Sequence, residues 1–303
     1  MQRLNSYFFR KLFFLSLIVL NLLVFSCRSP EKEKTGDYFE WVDSYQRKVA
    51  LDKEPLRIIS LSPSITEMIF LLQSEAKLVG ISDFCDYPPQ TAGIKKVGGM
   101  QNFNIETLVE LNPDVVLIGS IVQKEDVEKI EKVGIPVIAI KEENKITGIF
   151  NSLEVLGKIL NKEKFAEKQI DILKKNLSEI KMPVVSEEKR PSVYYVVGFG
   201  DSGDYTAPKN SHIHEIISLA GGRNIGEVLS GWNISREYLF EQDPDIIIIR
   251  KEDMAIFCKT YPYNKLSAVI NKRVYPIESG WIDIVSPRNV DAVKMINECI
   301  RNY

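Results

Sequence analysis

The chain has 303 residues, 45% hydrophobic and 26% charged, with a net charge of −2 and no long low-complexity tract. That is material for one large or two ordinary globular domains, and the charge gives no electrostatic footprint for nucleic acid. The first 26 residues stand apart. Arg3, Arg10 and Lys11 precede an apolar run from Leu12 to Phe25 that is short for a membrane span and ends at Ser26 and Cys27, the layout of a signal peptide.

The small-residue–cysteine junction resembles a bacterial lipoprotein signal, which implies cleavage before Cys27 and attachment of lipid to it. Phe25 is bulkier than that signal's usual residue. A plain secretory leader or an uncleaved anchor would also put the folded part outside the cytoplasm. Acyl chains on Cys27 would hold the protein to a membrane surface. The other cysteines, Cys85, Cys258 and Cys299, are odd in number, which leaves one disulfide between Cys258 and Cys299 or a set of buried free thiols.

Residues 27–54 open with the polar stretch RSPEKEKTGD, a tether, and continue with an extension apolar enough to lie on the fold. From 55 to 145 the pattern turns regular. Strand RIISL leads through SPS to an apolar helix, ITEMIFLLQ, with Ser64 as its cap. Strand KLVGIS, the turn DFCDYPPQ, a helix and strand in ETLVELNPDVVLI, a helix near 124–133 and strand PVIAI follow. Short apolar strands alternating with helices indicate an α/β lobe with a largely parallel sheet.

Residues 146–182 are helical throughout, and the second helix, 163–181, would be about 28 Å long, enough to bridge two lobes. Residues 183–303 repeat the α/β pattern, from SVYYVV through SHIHEIISLAGG and RVYPI to a terminal helix at about 287–301. Within this half EYLFEQDPDIIII, starting at Glu237, matches the stretch that starts at Glu106 in the first half. The two copies share a capping residue, Asn104 or Ser235, then a glutamate, a leucine and a Pro-Asp pair. The Pro-Asp pair stops the helix and turns the chain into an aliphatic strand. A glutamate in a helix's first turn is favoured by the macrodipole alone.

Those segments, together with YTAPKNSHIHEIISLAGGRNIG, resemble the substrate-binding proteins of ABC importers for cobalamin, ferric siderophores and haem, over nearly all of the mature chain. The resemblance implies two Rossmann-like α/β lobes joined by a single long backbone helix, with the ligand in the cleft between them. It also implies that Glu106 and Glu237 dock, one per lobe, into arginine-lined pockets of a permease dimer, a contact that bidentate carboxylate–guanidinium geometry suits. No covalent chemistry, intrinsic cofactor, resident metal or nucleic acid is implied, and the protein would act as a monomer.

Loops that follow strands are where an α/β lobe presents its binding groups. The candidates for the cleft wall are Ser62, Phe84, Tyr87, Met100, Phe199, Tyr205, Trp232 and Trp281, with Ser64 beside them. Flat rings suit a macrocycle or organic chelate. The DYPP turn and a tryptophan ahead of the second docking helix resemble the cobalamin binders, with ferric siderophore or haem as the alternative. Met100 and Gly280 depart from that pattern. A haem ligand would make Tyr87 or a histidine an axial ligand.

Two motifs carry less than their spelling suggests. GFGDSG, from Gly198, has nucleotide-loop spacing but runs into DYTAPKN instead of a helix; a mobile loop beside the cleft fits better. His212 and His214, two apart, diverge on a helix and make poor joint metal ligands, so a surface or capping role is expected of them. A lipid-anchored hydrolase is the rival class, but no G-x-S-x-G elbow is present.

Overall fold

The computed structural model describes residues 38–141, 143–182 and 185–303; the expected leader, the lipidation site at Cys27 and the polar tether lie outside them. The extension forms an antiparallel hairpin, β1 (Phe39–Val42) and β2 (Lys48–Leu51). It is tied to the body by Ser44 N donating to Ala139 O at 3.0 Å, and by Arg47, which pairs with both Asp43 and Glu131.

The first lobe runs β3 (Ile58–Ser60), α1 (Pro63–Leu71), β4 (Leu78–Ile81), α2 (Ile105–Glu110), β5 (Val115–Ile118), α3 (Lys124–Lys132) and β6 (Val137–Ala139). Two helices follow, α4 (Ile146–Ile159) and α5 (Glu163–Ser178). The second lobe runs β7 (Ser192–Val196), α6 (His212–Leu219), β8 (Arg223–Asn224), α7 (Arg236–Gln242), β9 (Ile246–Arg250), α8 (Lys251–Phe257), α9 (Ser267–Ile270), β10 (Val274–Ile277), α10 (Ser279–Ile282) and α11 (Asn289–Arg301).

Each lobe is built on a four-stranded parallel sheet, in the order β4-β3-β5-β6 in one and β8-β7-β9-β10 in the other. In both, the second strand to appear lies outside the first, so the repeated segment supplies the third strand, β5 or β9, at the same place in each sheet. The physical content of the repeat is visible there. Asn112 and Asp243, the residues before the prolines, take left-handed φ of 42° and 37°, which Asn and Asp tolerate best after glycine. The following aspartate then ties the third strand to the start of the first. Asp114 Oδ2 accepts from Leu56 N and Arg57 N at 2.9 Å each, and Asp245 Oδ2 accepts from Ser192 N and Oγ at 2.8 Å each. Burial pushes both carboxyls up, but these donors, with Lys53 at Asp114 and Tyr303 and Arg273 at Asp245, hold both below the usual carboxylate range.

Alternation along the strands divides the core. Val115, Leu117 and Ile138 in the first lobe share one continuous apolar cluster with Val193, Tyr195, Ile246 and Ile248 in the second. Val116 and Ile118, and likewise Ile247 and Ile249, point to the opposite sheet faces and to separate smaller cores. The shared cluster is filled by α4, which packs on both α1 and α6, and by α5, which packs on α4 and α11. Glu215 of the second lobe accepts from Ile146 N at 2.7 Å, satisfying an open donor at the start of α4.

Two expectations need correction. Ser62 caps α1, its Oγ accepting from Ile65 N, with Pro63 at the first helical position; Ser64 lies inside the helix. The crossing helix α5 ends at Ser178, making it about 24 Å long. Of the two alternatives left open for the cysteines, Cys258 and Cys299 are free thiols.

Candidate functional site

The carboxyl ends of the strands of both lobes open onto a cleft whose main cavity is about 670 Å³. The first lobe contributes Ser62 and Ser64 after β3, Phe84 and Tyr87 after β4, Met100, and Ser120 and Ile121 after β5; the second contributes His212, Glu278, Asp283 and Arg288. An adjoining cavity of about 400 Å³ shares Asn144, His212 and Asp283 and adds Trp232 and Arg250. Sequence and fold agree here, because every one of these first-lobe groups follows a strand or lies in the loop leading to α2.

The wall is mostly apolar, with a few fixed charges. Arg288 holds Glu67 of α1 in a two-pronged ion pair, Nε to Oε2 at 2.8 Å and Nη2 to Oε1, with side chains 13% and 4% exposed. Its guanidinium lies 3.9 Å from the centroid of the Tyr87 ring, a cation–π contact. Ser64 Oγ donates to Val285 O at 2.6 Å. The segment 285–288 of the second lobe is therefore fastened to the first lobe at three points beside the cavity. Burial pushes the Glu67 carboxyl up and outweighs the attraction of Arg288. A Cβ on Gly280 would sit 2.5 Å from both terminal nitrogens of Arg288, so the close approach of Arg288 explains the glycine at this departing position.

Asp283 is also neutralised. It accepts from Tyr195 OH at 2.5 Å and from Arg250 Nε at 2.9 Å, and burial, then this carboxylate, pushes the Tyr195 phenol up. His212, for which the sequence suggests a surface or capping role, is 8% exposed, its ring tied to Ile282 O at 2.7 Å, and the cap of its helix is Ser211.

Of the eight predicted wall residues, Ser62, Phe84, Tyr87 and Met100 line the main cavity and Trp232 the adjoining one. Three do not line either. Phe199 packs edge-on against Phe257 and Tyr263, at 5.1 and 5.6 Å between centroids, in the second lobe's own core. Tyr205 pairs with Gly198 and Asn233 and donates to Ser202 O at 2.9 Å. Trp281 packs against the shared core. The loop spelled GFGDSG is held by Tyr263, whose hydroxyl accepts from Gly200 N at 3.0 Å, and by Arg236, which donates to Gly200 O at 2.8 Å; no helix begins on it.

Sequence reasoning missed Arg288, Asp283, Arg250 and Asn144, which follow no aromatic or turn signal, whereas Ser120 and Ile121 directly after β5 were within reach of the strand-end rule. Among the described residues no group of three or more His, Cys, Asp or Glu could hold a metal ion, and no helix is long and apolar enough to cross a membrane.

Glu106 and Glu237 are exposed at the second positions of α2 and α7. Asn104 Oδ1 accepts from Thr107 N at 2.9 Å, and Ser235 Oγ from Tyr238 N at 3.1 Å, so both helix starts are capped by side chains and neither glutamate is needed for that purpose. Met100 lies six residues before Glu106 and Trp232 five before Glu237, so the cavity wall leads into each of these helices.

The model of the periplasmic binding protein family matches residues 58–279. An uncharacterised ABC transporter substrate-binding lipoprotein of Bacillus subtilis, YvrC, is 26% identical over 94% of this chain and 95% of its own. A cobalamin-binding protein of Halobacterium salinarum is 29% identical over 86% of this chain and 73% of its own. The crystal structure of a periplasmic solute binding protein from Veillonella parvula superposes with a TM-score of 0.72 at 25% identity, covering 87% of this chain and 86% of that one.

Proposed function

This chain belongs to the periplasmic binding protein family, whose members bind solutes and are not enzymes, and we propose that it captures cobalamin, held to a membrane by lipid on Cys27, and delivers it to an ABC importer. The observation that carries this reading is the interlobe cavity. It lies at the carboxyl ends of two parallel sheets and presents Phe84, Tyr87 and Trp232 with few, mostly neutralised charges, which suits a broad, largely uncharged macrocycle. The cobalamin-binding relative supports the choice of ligand, and the lipoprotein from Bacillus subtilis supports the anchor. Glu106 and Glu237 are the contacts for the permease, being exposed, free of ion pairs among the described residues and one per lobe. Such contacts set orientation more than affinity.

The test is titration of the purified mature chain with cobalamin, haem and ferric siderophores, followed by visible absorbance and calorimetry. Saturation by cobalamin at one per chain, with weaker binding of the others, is the expected result. Tighter binding of haem or a siderophore would move the ligand to the iron chelates, and binding of none would refute the ligand class.

A further inference from the structure

The wall of the main cavity carries three acids, Asp86, Glu278 and Asp283, and one base, Arg288; the adjoining cavity adds a second base, Arg250. Their pairing leaves one residue over. Arg250 holds Asp283 at 2.9 Å, Lys251 holds Glu278 at 3.0 Å, and Arg288 is matched by Glu67. Asp86 stands exposed in the turn after β4, one residue before Tyr87, and makes no ion pair among the described residues. Lys96, which reaches the same turn, donates instead to Ser82 O at 3.2 Å and to Cys85 O at 2.6 Å. His212 supplies no compensating charge, because burial lowers the pKa of its imidazole and outweighs the help of Ile282 O and Asp283, favouring the neutral ring. The cleft therefore holds one unanswered negative charge. Between apolar walls from which a bound ligand displaces water, such a charge acts more strongly than on a convex surface.

We infer that Asp86 is a specificity residue of the cleft, a charge filter that admits chelates of zero or positive charge and disfavours those whose rim carries carboxylates. The inference rests on the reading of the cleft as a metal-chelate site. An anionic group brought beside Asp86 meets a like charge and finds no free base to answer it, since both arginines that line the two cavities already hold an acid. A neutral amide or a cation at the same place meets no such repulsion, and its N–H can donate to the carboxylate. Discrimination of this kind comes from what the wrong ligand leaves unpaired. A carboxylate about 8 Å from Asp86, at an effective dielectric constant of about 40, is disfavoured about fivefold.

The experiment measures dissociation constants of the mature chain for two sets of probes matched in all but charge, with ferric haem beside them. One set is cyanocobalamin and its separated monocarboxylates, in each of which one rim amide has been hydrolysed. The other is a ferric trihydroxamate with a free ammonium group and the same chelate with that amine succinylated to a carboxylate. Either set that binds decides the matter. In wild type at least one monocarboxylate should bind about fivefold more weakly than cyanocobalamin, and the succinylated chelate more weakly than the ammonium form by a similar ratio. The ratio should fall below about twofold in Asp86→Asn, return in Asp86→Glu, and narrow in wild type as salt is raised from about 0.05 M to about 0.5 M. A weaker binding caused by the missing amide, and not by charge, would persist in D86N at either salt and overturns the inference. Equal affinities within a set in wild type, or haem with its two carboxylates binding tighter than the uncharged and cationic probes, also overturn it. Each of these results leaves the metal-chelate reading standing, whereas failure of wild type to bind any probe overturns both.

Discussion

Replacing Arg288 by methionine tests whether the ion pair beside the cavity couples the lobes. The substitution keeps the stem of the side chain but leaves Glu67, whose side chain is 4% exposed, without its partner. Breaking a buried pair from one side costs about 3–5 kcal/mol, most of it the isolated charge. The lower end applies here because the cavity admits water, so about 3 kcal/mol is expected, a fall in melting temperature of roughly 6–12 °C for a chain of this size. Glu67→Gln should cost less, about 2 kcal/mol, since the amide oxygen still accepts one N–H and Arg288 keeps its stack on Tyr87. The double variant should be less destabilised than the sum by about 1–3 kcal/mol.

The pH dependence has a definite sign. A carboxyl whose folded pKa lies above its unfolded one, as burial makes that of Glu67, binds more protons in the native state, so stability falls as pH rises from the unfolded pKa to the folded one. Removing Arg288 raises the folded pKa further, and the penalty of R288M should be larger at pH 8 than at pH 5. Urea unfolding of the four variants at both values measures the cycle. A coupling below about 0.5 kcal/mol, or a penalty equal at the two pH values, would refute the account of an interlobe pair dominated by desolvation.

Charge reversal of the exposed carboxylates, E106K with E237K, should abolish ligand-dependent uptake and stimulation of the importer's ATPase while leaving ligand affinity within about twofold, since neither residue lines the cavity; a loss of affinity in equilibrium titration would count against the docking role. Asp245→Ala should cost about 1.5–3 kcal/mol, the range for hydrogen bonds to a charged group, and Asp114→Ala a similar amount, with no credit for its exposed Lys53. Because both carboxyls are depressed in the fold, their contribution is present above the unfolded carboxylate pKa and disappears as pH falls through the folded values. Both alanine variants should therefore lose less stability than wild type over that acid range, and parallel acid-unfolding curves for all three would exclude the assignment.

The repeated segment shows what kind of information a sequence carries openly. Its aliphatic runs had to be strands, and its Pro-Asp pairs had to end helices, because those outcomes follow from side-chain type and backbone sterics within a few residues. The aspartates' hydrogen bonds to Ser192, Leu56 and Arg57 were not legible, since they join positions more than 50 residues apart. The wall residues divide in the same way. Tyr87 and Trp232 stood in loops after apolar strands, whereas Arg288 is held by a partner 221 residues away. Phe199 misled for the complementary reason: it follows β7 as a wall residue should, but Phe257 and Tyr263 supply an apolar partner that no local pattern announces.

The division of the core bears on how such a molecule separates its two tasks. One face of each sheet belongs to a continuous apolar cluster shared by both lobes, so a large relative rotation would have to expose part of that cluster, at roughly 25 cal/mol for each Å² of apolar surface. The loops at the strand ends carry no such cost, since Phe84, Tyr87 and Trp232 are already between 42% and 57% exposed. Ligand choice therefore falls to residues that can vary without disturbing the core, and the departure at Met100 lies among them. Each of the helices proposed for docking, α2 and α7, begins only a few residues beyond a wall residue, but its leucine, Leu108 or Leu239, is buried in its lobe's smaller core. The face proposed to meet a transporter is thus set by packing both lobes share, while the cavity between them changes with the loops they do not share.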